Sequence, residues 1–263
     1  MRPRSTRVRT PGELRDAVEA YLGSLALTAE LGELEETLRY ALDSGGKRIR
    51  PVLCLAVAEA AGGSVERALP AAGAVELVHT FSLVHDDLPS LDDDAERRGR
   101  PSTHVAYGEG VALLAGDALL AEAFRLVLSY ETPEPARELV GATLGMIGGQ
   151  HRDITGDQAD LTELHRLKTG RLFSASVGLG LWAAEVPDSE QASWRAFGDE
   201  LGLLFQIVDD ILDEDGIAAQ VGLEAAQRVA DEAAERVRER LGAVAADTTT
   251  LRELVDDLAV RTA

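Results

Sequence analysis

The chain has 263 residues, 45% of them hydrophobic and 27% charged, and its 26 basic against 46 acidic side chains leave a net charge of −20. That composition supplies a large core and does not read as disordered. So acidic a surface repels nucleic acid and anionic lipid head groups, which are bound by Lys and Arg neutralising phosphate; neither is an expected partner.

The basic residues 1–9 lead into Pro11-Gly12-Glu13 rather than an apolar run, so they read as a flexible tail and not as a signal peptide. Thr10-Pro11-x-Glu13 has capping-box spacing with proline at the first helical position, and Leu14, Val18, Tyr21 and Leu22 follow at helical intervals. Amphipathic periodicity then predicts helices over 31–42, 51–61, 69–88, 110–130, 132–156, 169–184, 190–213, 223–241 and 249–260, with no competing strand alternation. Glycine pairs and prolines punctuate most of them. The expected fold is an all-α, single-domain bundle of ten or more helices spanning 1–263 around a large central cavity. The stretches 51–61, 110–120 and 173–184 are apolar nearly all round and are expected to lie centrally. The longest apolar stretch, 111–128, is broken by Asp117, Glu122 and Arg125, so no membrane span is expected. The single cysteine, Cys54, sits in an apolar run as a core residue would and suits a reducing cytoplasm.

Lysine occurs only at Lys47 and Lys168, the other 24 basic residues being arginine. Both lysines fall at turns into apolar helices, in Gly45-Gly46-Lys47-Arg48-Ile49-Arg50-Pro51 after Ser44 and in Lys168-Thr169-Gly170. Glycines beside cations allow close backbone approach, which suits a phosphate cradle. Two acidic clusters accompany them. Asp86-Asp87-x4-Asp92 closes an apolar helix ahead of Arg97-Arg98-Gly99, and Gln206-x2-Asp209-Asp210-x2-Asp213 lies among Phe205, Ile207, Val208, Ile211 and Leu212. Carboxylates crowded in apolar surroundings need a cation between them, and an oxygen-only donor set selects Mg²⁺ when phosphates complete its shell. Together the clusters point to two diphosphates, one bound mainly through metal and one mainly through Lys and Arg.

These motifs, with Gly149-Gln150-x2-Asp153 between them, occur in an order and spacing that resembles the trans-isoprenyl diphosphate synthases over about residues 30–215. The resemblance implies an all-α homodimer that condenses isopentenyl diphosphate with allylic diphosphates such as dimethylallyl and geranyl diphosphate. It implies three Mg²⁺ ions, ligated by Asp86 and Asp92 from one wall and Asp209 from the other, with Asp87, Asp210 and Asp213 in support. Lys47, Arg50, His79 and Arg98 would hold isopentenyl diphosphate, and Arg97, Lys168, Thr169 and Gln206 would line the allylic substrate and assist its ionisation. Phe81, five residues before Asp86 and beside the small Ser82, is expected to floor the product cavity and favour farnesyl diphosphate over geranyl or geranylgeranyl diphosphate. One departure is clear: after Asp213 the family continues through a glycine-lysine turn and a further lysine loop, whereas here 214–222, which include Asp215, lead almost directly into the next helix. That bears on closure over the allylic diphosphate and on one metal position, and it keeps a noncatalytic partner subunit as a rival. A terpene cyclase is disfavoured, since it needs no second diphosphate site.

Overall fold

The computed structural model describes residues 8–43, 45–156, 163–164, 166–214 and 216–260; Ser44, Asp215 and the first seven residues of the expected tail lie outside these. Among the described residues the chain forms twelve α-helices: α1 (Pro11–Ser24), α2 (Leu34–Leu42), α3 (Ile49–Ala60), α4 (Val65–Asp86), α5 (Thr103–Tyr107), α6 (Glu109–Val127), α7 (Glu134–Thr155), α8 (Arg171–Ala183), α9 (Ala192–Asp213), α10 (Gly216–Val221), α11 (Leu223–Gly242) and α12 (Thr249–Ala259). A two-stranded hairpin, β1 (Glu96–Arg97) and β2 (Arg100–Pro101), follows α4, and a π-helical turn (Arg166–Gly170) feeds α8. No helix among the described residues is long and apolar enough to cross a membrane.

The capping box forms as the spacing predicts: Glu13 N donates to Thr10 Oγ1 at 3.3 Å while Thr10 N donates to Glu13 Oε2 at 2.9 Å. Arg9 is no part of a loose tail, because its guanidinium pairs with Glu59 at 2.6 Å and its carbonyl accepts from Thr250 Oγ1 at 2.6 Å. The fourth helix begins at Val65, earlier than expected: Ser64 caps it, and Pro70 is accommodated near its start.

Helices α3, α4, α8 and α9 pack on one another as the central layer, with α6 covering α4 and α11 covering α9. Pro51 to Ala58 are all buried in α3, as are nearly all residues of α8. Fully buried side chains such as Phe173, Phe197 and Leu179 each contribute about 1.5–3 kcal/mol of transfer free energy. The expectation that 110–120 would be central fails. In α6 the small Ala112, Ala115 and Gly116 face inward and Val111, Leu113 and Leu114 are exposed, because close approach to α4 selects small residues on the buried side. Gly116 shows the tightness, since a Cβ there would sit 2.1 Å from His85 Nε2.

Candidate active site

The basic turn before α3 is shaped by its glycines and by one arginine. Gly46 has φ +138°, and a Cβ there would lie 2.5 Å from Arg98 Nη1. Arg48 adopts the left-handed conformation (φ 49°, ψ 34°) and is buried, donating to Glu19 Oε1 at 2.8 Å, Glu76 Oε1 at 2.5 Å and the Leu42 carbonyl at 2.6 Å. Lys47 and Arg50, on either side of it, line a cavity whose wall also includes Arg48. The Arg50 guanidinium lies 4.6 Å from the Phe173 ring centroid and 5.4 Å from that of Phe205. Its Nε is buried with no hydrogen-bond partner, and burial pulls its pKa down to about 10 against the pull of Glu76 and Asp209. Arg50 is therefore a charged donor at neutral pH with one hydrogen bond unmade. His79 is held well below the usual imidazole range, by burial first and then by Arg50 and Arg98.

At the far end of α4 the two aspartates diverge. Asp87 is buried and bound by Arg97, which also reaches Asp94 at 3.0 Å. Asp86 faces the cavity, and burial, with Asp92 and Asp87 adding repulsion against the attraction of Lys168, raises its carboxyl to about 6. Asp92 is tied back through its N–H to the Asp86 carbonyl at 2.9 Å. Arg98 and Gly99 both have positive φ (54° and 76°), as a type I′ hairpin turn requires. That turn sends Arg97 to Asp87 and Arg98 to the Gly45 carbonyl. The hairpin itself is anchored on α2, where Tyr40 donates to the Pro101 carbonyl at 2.7 Å and Arg100 stacks 4.3 Å over the Tyr40 ring.

The opposite wall comes from α7, the π turn and α9. The wide π turn carries Lys168 and Thr169 into the cavity, and α7 approaches it so closely that a Cβ on Gly149 would lie 2.7 Å from Lys168 N. Lys168 Nζ is paired with Asp153 Oδ2 at 2.5 Å. On α9, Asp210 turns inward: its oxygens accept from Gln206 Nε2 at 2.6 Å and from Ile217 N at 2.8 Å. Asp209 and Asp213, on the outer side, line the same cavity as Lys47.

Two adjoining cavities result, with Arg50 and His79 in the wall of both. One, of about 500 Å³, is polar and combines Lys47, Arg50, Arg97 and Arg98 with Asp209 and Asp213. The other, of about 380 Å³, runs from Asp86, Lys168 and Thr169 to an apolar wall of Phe81, Met146, Ile147 and Leu172. Phe81 lies edge-on to His85 with centroids 5.0 Å apart, and Ser82 lines the cavity beside it. Of the residues singled out in the sequence, Lys47, Arg50, His79, Phe81, Ser82, Asp86, Arg98, Lys168, Thr169, Asp209 and Asp213 line one or both cavities; Arg97 falls on the polar side, bound to Asp87, while Gln206, bound to Asp210, and Asp87, Asp92 and Asp210 line neither. Glu76, Arg48's partner, went unnoticed, although it is the lone acid in an apolar stretch of α4. Asp153 was visible as part of a motif but not as the partner of Lys168.

Among the described residues no three His, Cys, Asp or Glu side chains form a ready-made metal cage. Mg²⁺ does not require one, because it keeps several waters and is held by one or two carboxylates with substrate phosphates. The raised Asp86 carboxyl and the carboxylates on facing walls fit such an ion.

Comparison with known proteins agrees with this geometry. The polyprenyl synthetase family profile matches residues 32–233. Geranylgeranyl diphosphate synthase of Cyanophora paradoxa is 44% identical over 193 residues, 68% of this chain and 64% of that protein. Farnesyl diphosphate synthase of Bacillus subtilis is 40% identical over 204 residues, 72% of this chain and 69% of that protein. The chain thus spans about two thirds of the length of these relatives. The crystal structure of a geranyltransferase from Legionella pneumophila superposes with a TM-score of 0.82 at 31% identity, covering 95% of this chain and 96% of that one. With the motif residues gathered on facing walls and a family match across most of its length, the chain belongs to the polyprenyl synthetase family.

Proposed function

We propose that the protein is a short-chain trans-isoprenyl diphosphate synthase, joining isopentenyl diphosphate head-to-tail to dimethylallyl or geranyl diphosphate. The observation that carries this reading is the pair of adjoining cavities, one cationic and one running from acids to an apolar wall. Isopentenyl diphosphate sits with its phosphates on Lys47, Arg50 and Arg98, where the unpartnered Arg50 Nε gains an acceptor. Neutral His79 adds a hydrogen bond rather than a charge. The allylic diphosphate lies toward Lys168 and Asp86 with its tail among Phe81, Met146 and Leu172.

Mg²⁺, three ions in all, would be held by Asp86, Asp92 and Asp209 and would supply Lewis-acid neutralisation of the leaving diphosphate. Asp87, Asp210 and Asp213 support that set. Lys168 and Arg97 add fixed positive charge as the allylic carbon–oxygen bond breaks and its electron pair departs with the diphosphate. The Thr169 hydroxyl faces the resulting allylic cation with a dipole that does not trap it, while Gln206 holds Asp210 behind the site. The apolar wall excludes water while the isopentenyl double bond forms the new carbon–carbon bond, and a proton is then lost to the released diphosphate.

Phe81 favours farnesyl diphosphate as the main product. The exposed Leu113 and Leu114 of α6 and Leu144 of α7 are apolar side chains whose burial against a second copy suits a homodimer. The lone buried cysteine suits a cytoplasmic setting. An assay with Mg²⁺, isopentenyl diphosphate and each of dimethylallyl, geranyl and farnesyl diphosphate tests this reading. Condensation ending at fifteen carbons is expected. Cyclised hydrocarbon from an allylic diphosphate alone, or no turnover with any primer, would overturn it.

A further inference from the structure

An acidic side chain in the wall of a diphosphate pocket runs against the purpose of the pocket, and Glu76 is one. It lines the cationic cavity among Lys47, Arg50 and Arg98, yet the residue is only 3% exposed. Its Oε1 is 2.5 Å from Arg48 Nη1. Arg48 also belongs to the cavity wall, but its side chain is only 3% exposed and its guanidinium is taken up by acceptors of the protein itself. Its guanidinium joins three helices to the turn: α1 through Glu19, the end of α2 through the Leu42 carbonyl, and α4 through Glu76.

The backbone explains why such a clamp is needed. Arg48 is the N-cap of α3 in a left-handed conformation uncommon for a residue with a Cβ, and no side chain caps that end of the helix. Two glycines of positive φ precede it. Arg98 holds the turn at the Gly45 carbonyl, and the Arg48 guanidinium anchors its other end, where α3 begins. Lys47 and Arg50 flank that residue, and His79 lies one turn beyond Glu76 on α4.

We infer that Arg48 and Glu76 are a positioning pair that sets Lys47 and Arg50 in register with His79 at the isopentenyl diphosphate end of the site, an inference resting on the reading proposed above. Neither touches the reacting atoms. The pair acts by holding cations that would otherwise repel one another in one arrangement, which matters more for binding one substrate than for the chemical step.

Two effects of Glu76→Gln oppose each other, and this makes the test decisive. Removing a negative charge from the wall should by itself tighten a diphosphate, whereas losing the anchor of Arg48 should loosen it. The expected result is a rise of roughly tenfold in KM for isopentenyl diphosphate, with KM for geranyl diphosphate and saturated kcat little changed, the melting temperature lowered by loss of one charge of a buried pair and the helical fold retained at the assay temperature. Arg48→Lys, which keeps the charge but cannot reach three acceptors, should give the same pattern. An unchanged or lowered KM for isopentenyl diphosphate in Glu76→Gln would overturn the inference, as would an equal rise in both KM values or loss of the helical fold in both variants. Calorimetric titration of wild type and variants with isopentenyl diphosphate separates this from failure of the parent reading. A wild type that binds it without turnover overturns only the condensation, and the variants' Kd then decides the pair; a wild type that neither binds nor turns over overturns both.

Discussion

Phe81→Ala should lengthen the product. Phe81 is buried on α4, edge-on to His85, with Ser82, Met146 and Leu172 around the same cavity. It stands five residues before Asp86, and at 1.5 Å per helical residue that is about 7–8 Å, roughly one to two isoprene units below the expected diphosphate position. Removing the ring opens the apolar wall that limits how far the growing chain can extend. A further isoprene unit carries five carbons, and at about 0.8 kcal/mol per buried carbon the opened wall offers up to about 4 kcal/mol toward continued elongation. That is a shift of up to about a thousandfold in the partition between release and the next condensation, reduced by whatever the neighbouring side chains reoccupy. The same substitution costs folding stability, at most about 3–5 kcal/mol for a Phe→Ala change and less here because one side of the ring already faces a cavity. The assay is chromatography of the dephosphorylated products after incubation with isopentenyl and geranyl diphosphate. Wild type is expected to stop at fifteen carbons and Phe81→Ala to accumulate twenty or more. An unchanged product profile from a folded, active Phe81→Ala would refute the argument that the ring is the floor.

Asp86→Ala and Asp209→Ala should each lose several orders of magnitude in turnover, and chelating Mg²⁺ from the wild type should do the same; near-wild-type rates from either variant would contradict the assignment of these residues to the metal. Without metal, Asp86→Asn should raise the melting temperature at pH 8 and have no effect at pH 4. The folded protein lifts this carboxyl from its ordinary value to about 6, so the cost of ionising it is absent below pH 4, grows as pH rises through that window and is complete above it. Equal melting shifts at both pH values would show that the charge of Asp86 is not what strains the metal-free site. Lys47→Ala should chiefly raise KM for isopentenyl diphosphate, and Lys168→Ala should chiefly weaken the allylic diphosphate or its ionisation, which steady-state kinetics against each substrate separates. The two variants behaving alike would undo the division of the cavities.

What was legible in the sequence follows from chemistry that demands residue types. Aspartates inside an apolar helix, and two lone lysines beside glycines, stand out because burial without a partner is too costly to occur by accident. Helix periodicity was legible for a related reason, since an amphipathic stripe records which side meets the core. The stretch 110–120 shows the limit of that record. Apolar on every side, it could not reveal that its alanines and glycine pack on α4 while Leu113 and Leu114 stay outside, because the deciding quantity is the distance to another helix. The hairpin at 96–101 left no alternation to detect, having only two residues per strand. Its role came from two positive φ angles, which direct adjacent arginines to different partners.

The basic turn makes the same point most sharply. Lys47, Arg48 and Arg50 are three cations within four positions, and their order alone assigns all of them to phosphate. Arg48 is withdrawn from that set by carboxylates 29 and 28 residues away along the chain, on α1 and α4. Sequence neighbours share a local environment only until the backbone changes hand, and at Arg48 it does. An arginine bound on three sides inside the protein cannot serve as a substrate ligand without breaking a buried ion pair, so a phosphate placed at this turn meets two side chains rather than three. A diphosphate offers oxygens to more donors than these two, and the structure supplies them from elsewhere: Arg98 arrives on the hairpin and His79 on α4, each brought in by packing that the turn's own residues do not encode.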